Sequence, residues 1–129
     1  MNGKYILDTN VIIGLFNGNI KIREKISNAD EVFIPSIAIG ELIYGAMCSK
    51  NRKKNIEKIQ AFILSNTILS CDSLTSFEYA KIKYQLRQKG KPIPENDIWI
   101  AAISRQYNIT LATQDDHFDE IEMLLKEKW

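Results

Sequence analysis

One histidine, two cysteines and no long apolar run set the first limits on this 129-residue chain. The single histidine, His117, lies in an acidic stretch and reads as a surface or helix-cap residue. That leaves little room for a Ser-His-Asp or Cys-His hydrolase, or for a histidine-based nuclease. Cys48 and Cys71 have no metal-ligand spacing. They read as reduced core thiols, Cys48 on an apolar helix face and Cys71 at a strand end, as expected of a cytoplasmic protein. No Walker A or Gly-x-Gly-x-x-Gly pattern occurs, so nucleotide binding of those types has no support. Nothing approaches the ~20 apolar residues of a membrane helix, and Met1-Asn2-Gly3 leads straight into a strand, so neither a membrane span nor a signal peptide is expected. There is no internal repeat or low-complexity tract, and Gly90–Pro94 is too short to separate domains. One domain over residues 1–129 is therefore expected.

Charge is nearly balanced, at +1, but unevenly spread. Lys50, Arg52, Lys53, Lys54 and Lys58 surround one acid, Glu57; Lys81, Lys83, Arg87, Lys89 and Lys91 follow with no acid between them. Asp115, Asp116, Asp119, Glu120 and Glu122 lie close together. Basic segments in a balanced protein suit a phosphate backbone, and equally suit a solvated helix face.

The apolar run Tyr5-Ile6-Leu7 stops abruptly at Asp8-Thr9-Asn10. Such a run reads as a buried strand of a parallel sheet, with a helix beginning at Val11-Ile12-Ile13. Helical spacing follows over Ile20–Ala29, a second strand over Glu31–Pro35, and a helix over Ile37–Ser49 with Ser36 as its N-cap. Asn51–Leu64 is helical, with Ile56, Ile59, Phe62 and Ile63 on one face, and Thr67–Ser70 is a short strand. Thr75 and Glu78 have the spacing of a capping box for a helix that Gly90 and Pro92 end. Pro94 opens a helix to Tyr107. Ile109–Thr113 is a fourth strand, His117–Ile121 a helical turn, and Met123–Lys126 a short edge strand. Alternating strands and helices predict an α/β fold with a mainly parallel sheet of four to five strands.

Ligands of such sheets bind outside the carboxyl ends of the strands, where Asp8 would lie, although Asp is also a favoured helix cap. Glu41 is the only charged residue between Glu31 and Lys50. Its helical neighbours Ile37, Ala38, Tyr44 and Gly45 form an apolar and small-residue face. A carboxylate buried there must pair with a base or coordinate a cation. No base is evident, which favours the cation. Asp97 heads the apolar Ile98–Ile103 run in the first turn of its helix, where dipole complementarity alone explains an acid such as Glu95. Asp115 follows the fourth strand as Asp8 follows the first, with Asp116 as a rival. Four such anions are tolerated together only with protons or a metal between them, and oxygen ligation selects Mg²⁺ or Mn²⁺. Such ions serve phosphoryl transfer.

With these residues in view, the chain resembles the PIN-domain family, and within it the VapC-type toxins of toxin–antitoxin pairs. Leu7-Asp8-Thr9-Asn10-Val11-Ile12 is similar to the family's first acidic motif and Glu41-Leu42-Ile43-Tyr44-Gly45 to its helical one. Pro94 to Ala102 is similar to the third, and Leu111-Ala112-Thr113-Gln114-Asp115 through Phe118 to the fourth. The resemblance implies a three-layer α/β/α fold and a Mg²⁺-dependent endoribonuclease, hydrolysing RNA with metal-activated water. Its site would be Asp8, Glu41, Asp97 and Asp115, with Asp8 and Asp97 the direct ligands and Asn10 and Thr113 hydrogen-bonding the carboxylates. Glu41 and Asp115 would act through water or a second ion. It also implies a homodimer and a VapB-type antitoxin whose tail blocks the site. The Asp115-Asp116 doublet and Glu122-Met123-Leu124, where Pro-Gly-Leu is common, depart from the family pattern.

Two other functions fit parts of this sequence. One is a catalytically silent PIN-like module that binds RNA or protein. The other is a Mg²⁺-binding phosphoacceptor receiver domain, for which Asp72 is the candidate acceptor and a suitable late lysine is missing.

Overall fold

In the computed structural model, which describes residues 3–129, strand β1 (Lys4–Leu7) runs through the middle of a five-stranded sheet. The expected entry from Met1-Asn2 into this strand lies outside the described residues. The other strands are β2 (Glu31–Pro35), β3 (Thr67–Leu69), β4 (Thr110–Thr113) and β5 (Lys126–Lys128). Their order is β3-β2-β1-β4-β5, and every neighbouring pair is parallel. Parallel neighbours need crossovers, which the helices provide. These are α1 (Thr9–Phe16), α2 (Ile20–Asn28), α3 (Ser36–Met47), α4 (Arg52–Leu64), α5 (Ser73–Lys89) and α6 (Glu95–Tyr107).

Successive side chains of a strand point to opposite faces, so the central strands feed two cores. Ile6 and Leu111 pack with Ile82 and Leu86 of α5 and with Ile98 to Ile103 of α6. Leu7, Ile34 and Ala112 pack on the other side with Val11 and Ile12 of α1, Ala38 and Leu42 of α3, and Ile59 of α4. The result is a three-layer α/β/α fold. Burial on both faces explains why these strands read as continuous apolar runs. Among the described residues, no helix is long and apolar enough to cross a membrane.

Several local expectations are corrected. Cys48 and Cys71 are both exposed rather than in the core. Helix α5 is capped by Asp72, whose carboxylate accepts from the Thr75 N–H at 3.1 Å while the Thr75 hydroxyl accepts from the Asp72 N–H at 2.9 Å. The box is Asp72–Thr75 and not Thr75–Glu78; Glu78 instead meets Arg105 of α6 at 3.1 Å. Ser36 is the first residue of α3, which follows directly on Pro35 without a side-chain cap. The edge strand is Lys126–Lys128 rather than Met123–Lys126, because Met123 takes a left-handed conformation (φ 58°). Trp129 then anchors the strand, buried with its ring 4.9 Å from that of Tyr5.

The direction of the chain matters for function. From β1 it moves outward to β2 and β3, then returns to β4 on the other side of β1. The carboxyl ends of β1 and β4 therefore flank a topological switch point, where open α/β sheets form a crevice.

Candidate active site

Asp8, the first residue beyond β1, is 3% exposed. Its N–H continues the sheet by donating to the Ala112 carbonyl at 3.0 Å. One carboxylate oxygen, Oδ1, accepts from the Thr9 N–H at 2.8 Å and caps α1. The other, Oδ2, accepts from the Thr113 hydroxyl at the end of β4, also at 2.8 Å. Asp8 is thus both a helix cap and a fixed acid at the switch point.

Thr9 carries the arrangement to α3. Its hydroxyl donates to Glu41 Oε1 at 2.7 Å, across 32 positions of sequence. The setting expected for Glu41 is corrected here. The carboxylate is half-buried rather than sunk in an apolar face, since Tyr44 is 71% exposed and Gly45 is exposed. No basic side chain ion-pairs with it among the described residues, and its hydrogen-bond donor is a neutral hydroxyl.

Asp97 and Asp115 form the opposite side of the crevice. Asp97 stands in the first turn of α6, directed there by the Pro94 start. Asp115 ends the segment after β4, its N–H donating to the Thr113 hydroxyl at 3.0 Å. Its Oδ1 accepts the His117 N–H at 2.8 Å and opens a 3₁₀ turn over Asp116–Glu120. That turn folds the imidazole back, with Nδ1 3.1 Å from Asp115 Oδ1 and 3.8 Å from Asp97 Oδ2. One donor atom each from Asp97, Asp115 and His117 fit within 4.8 Å of one another. Asp116 points elsewhere, 2.6 Å from Lys128, which holds its carboxyl below the usual range.

Electrostatics tie the acids together. Burial first, then the negative charges of Asp8, Asp115 and Glu41, push the Asp97 carboxyl up to about 6, with His117 opposing. Burial also raises Asp8; the hydrogen bonds from Thr113 and Thr9 counter it, and Asp115 and Glu41 add to it. Negative neighbours thus disfavour ionisation of both Asp8 and Asp97, and no lysine or arginine is among the causes that oppose it. Carboxylate oxygens of this kind suit a hard divalent cation, and the His117 nitrogen lies beside two of them.

Asn10 is exposed on the rim of a crevice of about 700 Å³ shared with Lys91, Gln114, Asp115 and His117. The bonds to the Asp8 carboxylate come from Thr113 and Thr9. Two participants escaped the sequence reading. Thr9 could have been found only from its place beside Asp8, and His117 only from the turn that Asp115 starts. The receiver-domain reading fails on position: β3, which precedes Asp72, is an edge strand. The Asp72 carboxylate is moreover taken up by Thr75 and by Gln106, at 2.9 Å.

A parallel sheet with an acidic cluster beyond the carboxyl ends of its central strands defines an α/β protein with its candidate site at the switch point. The PIN domain matches residues 5–124, and the chain belongs to the PIN-domain family, in its VapC group. It is 34% identical over 129 residues to Ribonuclease VapC2 of Haemophilus influenzae, covering 98% of both chains. It is 29% identical to the tRNA(fMet)-specific endonuclease VapC of Shigella flexneri, again covering 98% of each. Among solved structures, DNA-bound VapBC from Salmonella typhimurium superposes with a TM-score of 0.91 at 30% identity, covering 98% of both chains.

Proposed function

We propose that the protein is a divalent-metal-dependent endoribonuclease, the toxin of a VapBC-type pair, with Asp8, Glu41, Asp97 and Asp115 as its working acids. The observation that carries the reading is geometric: Thr113 and Thr9 hold Asp8 and Glu41 beyond β1, and donor atoms of Asp97, Asp115 and His117 lie within 4.8 Å of one another beside them. Carboxylates forced together in this way are stable when a cation joins them. Asp8 and Asp97 would hold Mg²⁺, or Mn²⁺ in its place, with Glu41 and Asp115 completing the surroundings through water or a second ion. When bound, the ion supplies a lowered pKa for water and charge neutralisation at the scissile phosphate.

The chain's own residues then have separate tasks. Thr113 and Thr9 hold the Asp8 carboxylate in one orientation, and Thr9 fixes Glu41 relative to it. Lys91, on the crevice rim, faces the RNA backbone. The α5 lysines are less available than their number suggests, since Lys83 is bound to Glu95 and Lys89 lies 3.3 Å from Glu120. The basic start of α4, from Lys50 to Lys54, is the second surface offered to RNA. The names of the relatives support RNA as substrate and a VapB-type antitoxin as partner, and the family resemblance supports a homodimer. This reading makes residues 1–129 one cytoplasmic nuclease domain.

The test is cleavage of mixed RNAs, tRNA included, in Mg²⁺ and in Mn²⁺. The parent should cut, and Asp8→Ala and Asp97→Ala should lose at least about two orders of magnitude while remaining folded, the scale seen when a group that stabilises charge in the transition state is removed. Equal cleavage by parent and both variants would defeat the mechanism, and a parent inert with either ion would favour a silent binding module.

A further inference from the structure

We propose that His117 is a direct nitrogen donor to the ion on the Asp97–Asp115 side of the cluster, so that the site takes Mn²⁺ in preference to Mg²⁺. The inference rests on the metal-dependent reading above and deepens it.

Geometry comes first. Ligands about 2.1 Å from an octahedral ion lie about 3.0 Å apart when adjacent and about 4.2 Å apart when opposite. His117 Nδ1 is 3.1 Å from Asp115 Oδ1 and 3.8 Å from Asp97 Oδ2, both inside that interval. All three donor atoms fit within 4.8 Å. That bound is close to the span of opposite ligands, so side-chain rotations that draw the three atoms inward would let them surround one ion. The imidazole is 56% exposed and is not packed into a core, so it is free to make those rotations. Its backbone, by contrast, is pinned by the bond from its N–H to Asp115 Oδ1, which keeps the ring over the crevice.

Chemistry gives the consequence. Carboxylate oxygens suit Mg²⁺ and Mn²⁺ alike, whereas an imidazole nitrogen follows the order in which softer first-row ions bind more tightly. Mg²⁺ also gives up its bound water reluctantly. A site that offers one nitrogen beside two carboxylates therefore separates the two ions where an all-oxygen site would not. The competing role for the ring is that of a mere countercharge, hydrogen-bonded to Asp115 with no bond to the ion.

The two roles differ spectroscopically, and the assignment is unambiguous because His117 is the only histidine in the chain. Untagged protein loaded with Mn²⁺ is examined by electron spin-echo envelope modulation. The expected result is ¹⁴N modulation from a bound imidazole, changed to the ¹⁵N pattern when the protein is grown with ¹⁵N-labelled histidine, and absent in His117→Ala. The same variant should lose about tenfold in Mn²⁺ affinity and much less in Mg²⁺ affinity, the scale of effect expected near a metal centre. The labelled parent needs no substitution, so the result does not depend on the variant folding. Mn²⁺ bound to the parent without nitrogen modulation overturns the role of His117 and leaves the nuclease reading standing. No Mn²⁺ binding by the parent overturns both.

Discussion

Thr113 and Asp8 lie 105 positions apart, yet the threonine hydroxyl donates to the aspartate's Oδ2 at 2.8 Å across the ends of β4 and β1. The bond joins the two strands that flank the switch point and favours the charged form of a buried carboxylate. Thr113→Val keeps the shape of the side chain and removes the donor. A hydrogen bond to a charged group favours that form, so without it the Asp8 pKa should rise further. Metal affinity should fall about tenfold, and the acid limb of the pH–rate profile should move upward. A profile unchanged in position would show that Thr113 does not tune Asp8.

Asp97 makes a second prediction, with its sign set by linkage. The folded chain holds the Asp97 proton up to about pH 6, while the unfolded chain releases it near 3.9. The native state therefore binds more protons in that window, and the group's favourable contribution is present below about pH 4 and lost as pH rises to 6. In metal-free buffer, Asp97→Asn should melt higher than the parent at pH 7.5, by roughly 1–3 kcal/mol, with the gap closing near pH 4. Saturating Mn²⁺ should reverse the order, since only the parent retains the ligand. Thermal melts with chelator and with Mn²⁺ at the two pH values check both statements.

The adjacent acids Asp115 and Asp116 should behave oppositely. Asp116 is exposed and paired with Lys128 on the surface, where solvent leaves such pairs little effect on stability. Asp116→Asn should cleave RNA like the parent. Asp115→Asn should lose at least about tenfold, since its carboxylate lies beside that of Asp97, within 4.8 Å. Cleavage rates of the pair, measured side by side, separate the neighbours.

The link from Thr9 to Glu41 gives a further expectation. Thr9→Val leaves the N–H that caps α1 in place and removes only the hydroxyl bonded to Glu41 Oε1. Activity should fall by about tenfold, with the melting temperature nearly unchanged. A large drop in stability instead would mean that the bond serves the fold.

The central strands were legible because burial on both faces writes them as apolar runs, as in Tyr5-Ile6-Leu7. β5 was not, since Lys126–Lys128 is an edge strand whose anchor is the buried Trp129 rather than its own side chains. Asp8, Asp97 and Asp115 could be picked from their places at a strand end or in a first helical turn, which are local features. The half-exposed setting of Glu41 could not, because it depends on what packs against α3. The cap of α5 was misplaced for a similar reason: Asp72 and Glu78 both fit the pattern around Thr75, and remote partners on α6, Gln106 and Arg105, take one each. Nor does any local signal announce that Thr9 bonds Glu41 or that His117 turns back over Asp97.

The most direct test is calorimetric titration of Mn²⁺ into the parent and into Asp8→Asn, both metal-free and shown to be folded. Binding by the parent, weakened at least about tenfold in the variant, is the predicted result. Matching isotherms, or no heat from either protein, would contradict the claim that these carboxylates are held together by a divalent cation.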